Sequence, residues 1–197
     1  MSVAEPTVAA VLVPLFFTAD GRPHAVLTRR RTDLRRHAGE ISFPGGRQDP
    51  EDPDLAATAL REAEEEIGLP RERVQMLGRL PAVSTFATGY EIHPHVGLIP
   101  AGLRWTPSPR EVDAVLEAGL QALRGARTRT LIQRRGIEFE TDAYVLDGQV
   151  IWGATARILE SLLTREDMLT RPREPAPSQR FDDQARQGRK ERDVLGT

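Results

Sequence analysis

The chain has 197 residues, of which 39% are hydrophobic and 28% are charged, and its formal net charge is −2. This length permits one globular domain with its own core and excludes a large multidomain protein. The near-neutral balance excludes a strong overall attraction to nucleic acid or to an anionic membrane surface, so a bound phosphate must be held locally. Because the chain has no cysteine, disulfides and cysteine nucleophiles are excluded, and a metal site must use oxygen or imidazole ligands.

The amino-terminal residues predict a cytoplasmic protein. Residues 1–6 contain one acidic residue and no basic residue, so we interpret the apolar run 8–17 as a strand rather than a signal peptide. No apolar run is long enough for a membrane span. We therefore expect neither a membrane nor a nucleic-acid partner, and the sequence leaves the oligomeric state open.

Hydrophobic patterning and turn residues predict a succession of strands and helices along the chain. The predicted strands cover residues 8–17, 24–29, 74–80, 91–99, 111–116, 137–146 and 149–151, and the predicted helices cover residues 53–67, 120–124 and 154–163. Asp52 is the expected N-cap of the first helix, and Gly68 is its expected end. This order predicts an α/β (α+β) fold in which helices flank a mixed β-sheet. Residues 1–170 form the predicted single domain, and the charged, proline-containing residues 171–197 form a predicted disordered or loosely docked tail.

The helix over 53–67 carries an unusual group of acidic residues. At about 100° per residue, Glu62, Glu65 and Glu66 share an arc about 100° wide, whereas Glu64 points away from it. Like charges at these spacings repel one another, and Arg61 can neutralise only part of the group. A hard divalent cation would neutralise the rest, because carboxylate oxygens are its preferred ligands. A solvated acidic helix face is the alternative interpretation.

Two further features lie before this helix. Arg29, Arg30, Arg31, Arg35 and Arg36 form an arginine-dense stretch whose guanidinium groups suit phosphate oxygens. A basic surface turn is the alternative for any single one of them. The following glycine pair, Gly45 and Gly46, indicates a backbone with positive φ or a very close approach to a neighbour.

These residues resemble the Nudix box, G-x5-E-x7-R-E-U-x-E-E-x-G-U, in which U is a bulky aliphatic residue. The matching residues are Gly46, Asp52 and the run Arg61-Glu62-Ala63-x-Glu65-Glu66-x-Gly68-Leu69. The sequence departs from the box in three places: Asp52 replaces a glutamate, the next spacer is one residue longer, and Ala63 is small. The resemblance implies a Nudix-like α/β/α sandwich.

The residues before the box resemble the signature of the coenzyme A pyrophosphatase branch of the Nudix hydrolases. They are Val26-Leu27-Thr28-x-Arg30, Arg35, Gly39 and Phe43-Pro44-Gly45-Gly46, with Val26 in place of leucine and Arg31 in place of a small residue. The resemblance extends over about residues 8–165. It implies hydrolysis of the pyrophosphate bond of coenzyme A (CoA) or a CoA derivative to 3′,5′-ADP and 4′-phosphopantetheine.

The resemblance also implies roles for individual residues. Glu62, Glu65, Glu66 and a main-chain carbonyl at Gly45 or Gly46 would bind Mg²⁺ or Mn²⁺, and Arg61 would orient the carboxylates. Glu111 is the candidate general base outside the helix, and Glu65 is the second candidate. The implied substrate-binding residues are Arg30, Arg35, His37 and Gly45. Two alternatives stay open: a Nudix enzyme for another nucleoside diphosphate derivative, such as ADP-ribose, NADH or a dinucleotide, and a non-catalytic nucleotide-binding module.

Overall fold

A computed structural model describes residues 5–33, 38–85, 89–134 and 136–170. Two candidate site residues, Arg35 and His37, and the predicted tail 171–197 lie outside the described residues. The strands are β1 (Thr7–Phe17), β2 (Pro23–Arg30), β3 (Ile41–Ser42), β4 (Gly45–Arg47), β5 (Gln75–Arg79), β6 (Val83–Thr85), β7 (Tyr90–Leu98), β8 (Val112–Gly119), β9 (Arg127–Arg134), β10 (Ile137–Leu146) and β11 (Gln149–Trp152). The helices are α1 (Leu55–Ile67), α2 (Leu120–Gly125), α3 (Gly153–Leu163) and α4 (Glu166–Leu169), and a single 3₁₀ turn covers Arg71–Arg73.

The strands form two sheets. The larger sheet has the path β3-β2-β1-β7-β5, with β4 paired to β1, β6 to β7 and β8 to β2. Strands β1 and β7 run parallel, whereas the other pairs of this sheet are antiparallel. The smaller sheet is antiparallel with the order β11-β10-β9. The predicted mixed sheet flanked by helices is confirmed.

Alternation along β1 divides the core into two layers. Ala10, Leu12 and Phe16 pack with the apolar side of α1 on one face of the sheet. Val13 and Leu15 pack on the opposite face with residues from α2 and α3. Because successive strand residues point to opposite faces, one buried strand serves both layers. Helix α1 therefore lies against the large sheet, and β4 runs beside β1 at the same place.

The boundaries of α1 follow from its capping residues. The N-cap is Asp54, whose Oδ1 accepts a hydrogen bond from the Ala57 N–H at 2.8 Å. The expectation that Asp52 caps the helix is wrong, because the Asp52 carboxylate is engaged by Arg61 instead. Gly68 ends the helix with φ 67°, a left-handed conformation that glycine adopts without a steric penalty. The predicted end is confirmed.

The carboxyl-terminal half contains a strand that the sequence patterning did not predict. Strand β9 pairs along its length with β10. Arginine and threonine fill much of β9, and the side chains are exposed or half-buried, so the strand lacks a strong apolar alternation. No helix in the described ranges is long and apolar enough to cross a membrane.

Candidate active site

The acidic residues of α1 differ in exposure as the helical arrangement predicts. The Glu66 side chain is 6% exposed, the Glu62 side chain 17% and the Glu65 side chain 59%. Glu64 projects away from this group, and its Oε2 lies 2.6 Å from Nη2 of Arg71. The acidic cluster, defined as Glu62, Glu65 and Glu66, therefore runs from the buried side of α1 to solvent. A uniformly solvated acidic face does not describe it.

Arg61 links two members of the acidic cluster. Its Nη1 lies 3.1 Å from Oε1 of Glu62 and 3.3 Å from Oε2 of Glu65. Its Nη2 donates to the main-chain carbonyl of Arg47 at 3.1 Å. The hydrogen bonds to Asp52, followed by the negative charges of Glu62 and Asp52, raise the pKa of the guanidinium, and its burial opposes this effect. Arg61 thus contacts both glutamates, and its role in orienting them stays a prediction.

Asp52 anchors the other side of the Arg61 guanidinium. Oδ1 of Asp52 accepts from Nε at 3.1 Å, and Oδ2 accepts from Nη2 at 3.0 Å. Oδ2 also accepts from the Thr58 hydroxyl and from the Asp49 backbone N–H. The hydrogen bonds from Arg61 hold the pKa of Asp52 well below its usual range. Bidentate pairing of this kind fixes the guanidinium plane, so Asp52 sets the direction from which Arg61 reaches the cluster.

The glycine pair brings the β4 backbone into close contact with two neighbours. A Cβ on Gly45 would overlap the Ala10 carbonyl and Val11 of β1. A Cβ on Gly46 would overlap the carboxylate of Glu62. The close approach inferred from the sequence is confirmed at both positions. The Gly46 backbone and the Glu62 carboxylate thus lie together, as the implied metal site requires.

Glu66 is the most deeply buried acid of the cluster. Burial raises its pKa to about 8, and the neighbouring Glu62 and Glu111 act in the same direction. Arg30 opposes this effect, with its Nη1 3.9 Å from Oε1 of Glu66, and a hydrogen bond from the Gly45 backbone also opposes it. Burial likewise raises the pKa of Glu62. The cations among the described residues therefore compensate these carboxylates incompletely.

Arg30 connects the helix to the candidate base. Its Nη2 lies 3.8 Å from Oε2 of Glu111, while Nη1 faces Glu66. Its Nε is buried and has no hydrogen-bond partner among the described residues. The chain places Glu111 here because the backbone N–H of Ser108 donates to the Glu66 carbonyl at 2.8 Å, just before β8 begins. Arg30, Glu66 and Glu111 are therefore brought together from three separate parts of the sequence.

The other described arginines of the basic stretch face elsewhere. Nη2 of Arg29 lies 2.7 Å from Oδ2 of Asp113 in β8. Arg31 pairs with Asp33 through Nε and Nη2, at 2.9 and 2.7 Å. The resemblance singles out Arg30 among these neighbours, but composition and spacing alone could not, because Asp113 is distant in the sequence. Arg35 and His37 lie outside the described residues, so their substrate-binding roles stay predictions.

Tyr90 contacts Arg47, the residue that follows the glycine pair. Its hydroxyl accepts a hydrogen bond from Nε of Arg47 at 2.6 Å, and the guanidinium lies 5.3 Å from the ring centre. The carbonyl of Arg47 accepts from Arg61. Arg47 therefore connects Tyr90, at the start of β7, to Arg61. The contact between Tyr90 and Arg47 could be found only from the fold.

The donor set around Glu62 and Glu66 fits a hard divalent cation. It consists of carboxylate oxygens beside a glycine backbone, and the cations of the described ranges do not fully compensate the buried carboxylates. In the described part of the chain, no three carboxylate or imidazole side chains already converge at metal-binding distances. Glu65 instead lies against Arg61. The metal-ligand roles of the three glutamates and of Gly46 stay predictions.

A separate cleft of about 530 Å³ lies beside β5 and β7, with Arg79, His93 and Arg165 in its wall. Its lining contains no carboxylate and none of the predicted site residues. Chemistry rather than volume therefore identifies the acidic cluster as the candidate active site.

Comparison with known proteins identifies a matching family and similar relatives. The NUDIX domain family matches residues 6–120. The Nudix hydrolase NudL of Photorhabdus laumondii is 42% identical over 156 residues, which cover 78% of this chain and 82% of that protein. NudL of Yersinia pestis is also 42% identical over 156 residues, with 78% and 77% covered.

Solved structures share the fold at low sequence identity. A Nudix hydrolase from M. smegmatis, RenU, superposes with a TM-score of 0.59 and 15% identity, over 88% of this chain and 92% of that one. The NUDIX domain of Shewanella oneidensis NrtR, solved with ADP-ribose, superposes with a TM-score of 0.57 and 14% identity, over 85% and 90%. The predicted fold class is confirmed.

Proposed function

This chain belongs to the NUDIX family of Nudix hydrolases, and on that premise we propose that it hydrolyses the pyrophosphate bond of CoA or a CoA derivative. The products are 3′,5′-ADP and 4′-phosphopantetheine. The expected partner is therefore a small molecule that carries a diphosphate.

The observation that carries the proposal is the position of Arg30. Arg30 belongs to the segment that resembles the CoA pyrophosphatase signature, whereas Glu66 belongs to the box. The two side chains face each other at 3.9 Å, and Glu111 lies at 3.8 Å on the other side of the guanidinium. The signature and the box thus contribute to one site, where an arginine can contact a phosphate beside the carboxylates.

The proposed division of roles follows from these contacts. Glu62, Glu65 and Glu66, with the Gly46 carbonyl, hold Mg²⁺ or Mn²⁺. A divalent ion bound there supplies charge neutralisation on the diphosphate and lowers the pKa of a bound water. Arg61 orients Glu62 and Glu65 through its Nη1 contacts.

The remaining role is that of the general base, which accepts a proton from the attacking water. Glu111 is the proposed general base, because its carboxylate lies near Glu62 and Glu66 and is 49% exposed, which leaves it open to water. Glu65 is the second candidate, but its carboxylate is engaged by Arg61. Arg30 contacts a substrate phosphate, and Arg35, His37 and the Gly45 backbone complete the proposed substrate contacts.

A substrate panel tests the proposal. The purified protein is incubated with CoA and Mg²⁺ or Mn²⁺, and 3′,5′-ADP is measured by chromatography, with ADP-ribose, NADH and a dinucleoside polyphosphate in parallel. CoA is expected to have the highest kcat/KM, and chelation of the metal is expected to abolish turnover. Preferred cleavage of another nucleotide would contradict the CoA assignment, and no cleavage of any of them would favour a binding module.

A further inference from the structure

Arg31 stands where the signature has a small residue, and its contacts are directed at the segment that carries Glu111. We propose that Arg31 is a positioning residue that holds residues 108–111 so that the Glu111 carboxylate faces the acidic cluster. This proposal rests on the proposed function, in which Glu111 is the general base.

Arg31 forms two hydrogen bonds to the main chain of residues 108–111, one from its side chain and one from its backbone. Its Nη1 donates to the main-chain carbonyl of Pro109 at 2.6 Å, and its backbone N–H donates to the carbonyl of Glu111 at 3.0 Å. The carboxylate of Asp33 accepts from Nε and Nη2 and so fixes the guanidinium plane. One residue thus binds the main chain on both sides of Arg110, directly before β8.

The segment needs such an anchor because regular pairing fails nearby. The register of β2 with β8 shifts between Arg29 and Arg30, and Arg30 pairs with Val112. Beyond this pair no further register pairs connect the two strands in the described residues. The other main-chain hydrogen bonds of this described segment run from the N–H groups of Glu111 and Val112 to the carbonyl of Ser108, and from the N–H of Ser108 to the carbonyl of Glu66. The hydrogen bonds of Arg31 therefore connect the two chain segments just beyond the last β2–β8 register pair.

Electrostatic repulsion makes the anchor more important. Glu111 interacts unfavourably with Glu62 and Glu66, which would favour a loop position farther from the cluster. Arg30 attracts Glu111 only across 3.8 Å. A hydrogen bond from a charged guanidinium to a main-chain carbonyl is stronger than a neutral one and opposes this displacement.

The donors of Arg31 argue against a direct phosphate contact. A guanidinium has five N–H donors in a fixed fork. Asp33 takes those of Nε and one of Nη2, and Pro109 takes one of Nη1. The two remaining donors, one on Nη1 and one on Nη2, lie beside the Asp33 carboxylate, whose negative charge repels a phosphate. Arg31 therefore acts through Glu111 rather than on the substrate.

The kinetics of Arg31→Ala distinguish a positioning role, exerted through Glu111, from a direct contact with the substrate phosphate. We expect kcat for CoA hydrolysis to fall about tenfold with KM within about twofold of the wild type, since small misplacement of a reacting group lowers rate rather than binding. Arg31→Lys should restore part of the loss through its single donor. Asp33→Asn should also lower kcat, but by a smaller factor than Arg31→Ala. Arg22→Ala, which removes an exposed ion pair with Asp20 in the β1–β2 turn, is the matched control.

Two further measurements keep this proposal distinct from the proposed function. If Glu111→Gln loses turnover but Arg31→Ala does not, or if Arg31→Ala raises KM with kcat unchanged, the positioning role is overturned and the CoA activity stands. An unaffected Glu111→Gln variant also overturns it. Amide hydrogen exchange of residues 108–112, measured without substrate, should be faster in Arg31→Ala than in Arg22→Ala. Equal exchange would overturn the proposal whatever the substrate proves to be.

Discussion

Gly46 of β4 lies directly against the carboxylate of Glu62 on α1, with no room for a Cβ between them. This contact is possible because β4 pairs with β1 while α1 packs across the same face of the sheet. It joins the first residue of the box to one of its glutamates. These two residues of the box are therefore also in direct packing contact with each other.

Replacing Gly46 with alanine is expected to displace the Glu62 carboxylate. The added methyl would overlap its oxygens, so turnover should fall at least about tenfold, because misplacement of a catalytic group by a fraction of an ångström to 1 Å is costly. Steady-state hydrolysis of the preferred substrate measures the effect. Gly125→Ala is the control, because a Cβ there meets nothing within 4 Å. Equal rates for the two variants would contradict the close-contact role of Gly46.

Replacing Glu66 with glutamine keeps the shape of the buried side chain and prevents it from supplying a negatively charged ligand to a metal ion. We expect turnover to fall on the order of 100-fold, because one charged ligand is worth several kcal/mol in the transition state. The rise in melting temperature on adding Mg²⁺ or Mn²⁺ should also shrink or vanish.

Glu64→Gln is the matched control for this substitution. Glu64 lies on the same helix but pairs with Arg71 on the far side. We expect it to retain both the turnover and the metal-dependent stabilisation. A Glu66→Gln variant that behaves like Glu64→Gln would show that Glu66 is not a metal ligand.

Much of the fold was predictable where one local pattern dominates. The apolar run of β1, its turn into β2 and the end of α1 at Gly68 are local features, and the structure confirms them. Strand β9 was not predicted, because its residues acquire their pairing only from β10.

The site was predictable to the extent that it lies on one helix. The helical spacing places Glu64 away from the other three glutamates, as the structure shows. Which arginine of the run 29–31 faces the cluster depends on Asp33 and Asp113 and on a strand irregularity in the ladder. Such ion pairs between distant residues carry no periodic signal in the sequence.

Asp52→Asn tests the support of Arg61. Asp52 is 7% exposed and makes a bidentate pair with Arg61, so losing its charge should lower the free energy of unfolding by about 1–3 kcal/mol. Urea unfolding measures the change, and kcat should fall as well because Arg61 is freer to move. Asp49→Asn is the control, since Asp49 is 56% exposed and lies 3.5 Å from Arg61. We expect an effect of at most about 0.5 kcal/mol there.

His95 predicts a pH dependence of stability that is independent of the active site. The side chain is 4% exposed on β7, its Nδ1 lies 3.2 Å from the His93 carbonyl, and burial lowers its pKa below 6.5. The unfolded chain therefore binds a proton at this residue more readily than the folded chain. Its contribution to stability is complete above about pH 6.5 and is lost as the pH falls through the folded-state pKa.

Urea unfolding of the wild type and of His95→Gln between pH 5 and 8 measures this contribution. The free energy of unfolding of the wild type should decrease more steeply below pH 6.5 than that of His95→Gln, because glutamine does not titrate. Parallel curves for the wild type and His95→Gln would mean that His95 binds its proton equally well in the folded and unfolded chains, and that burial does not set its pKa.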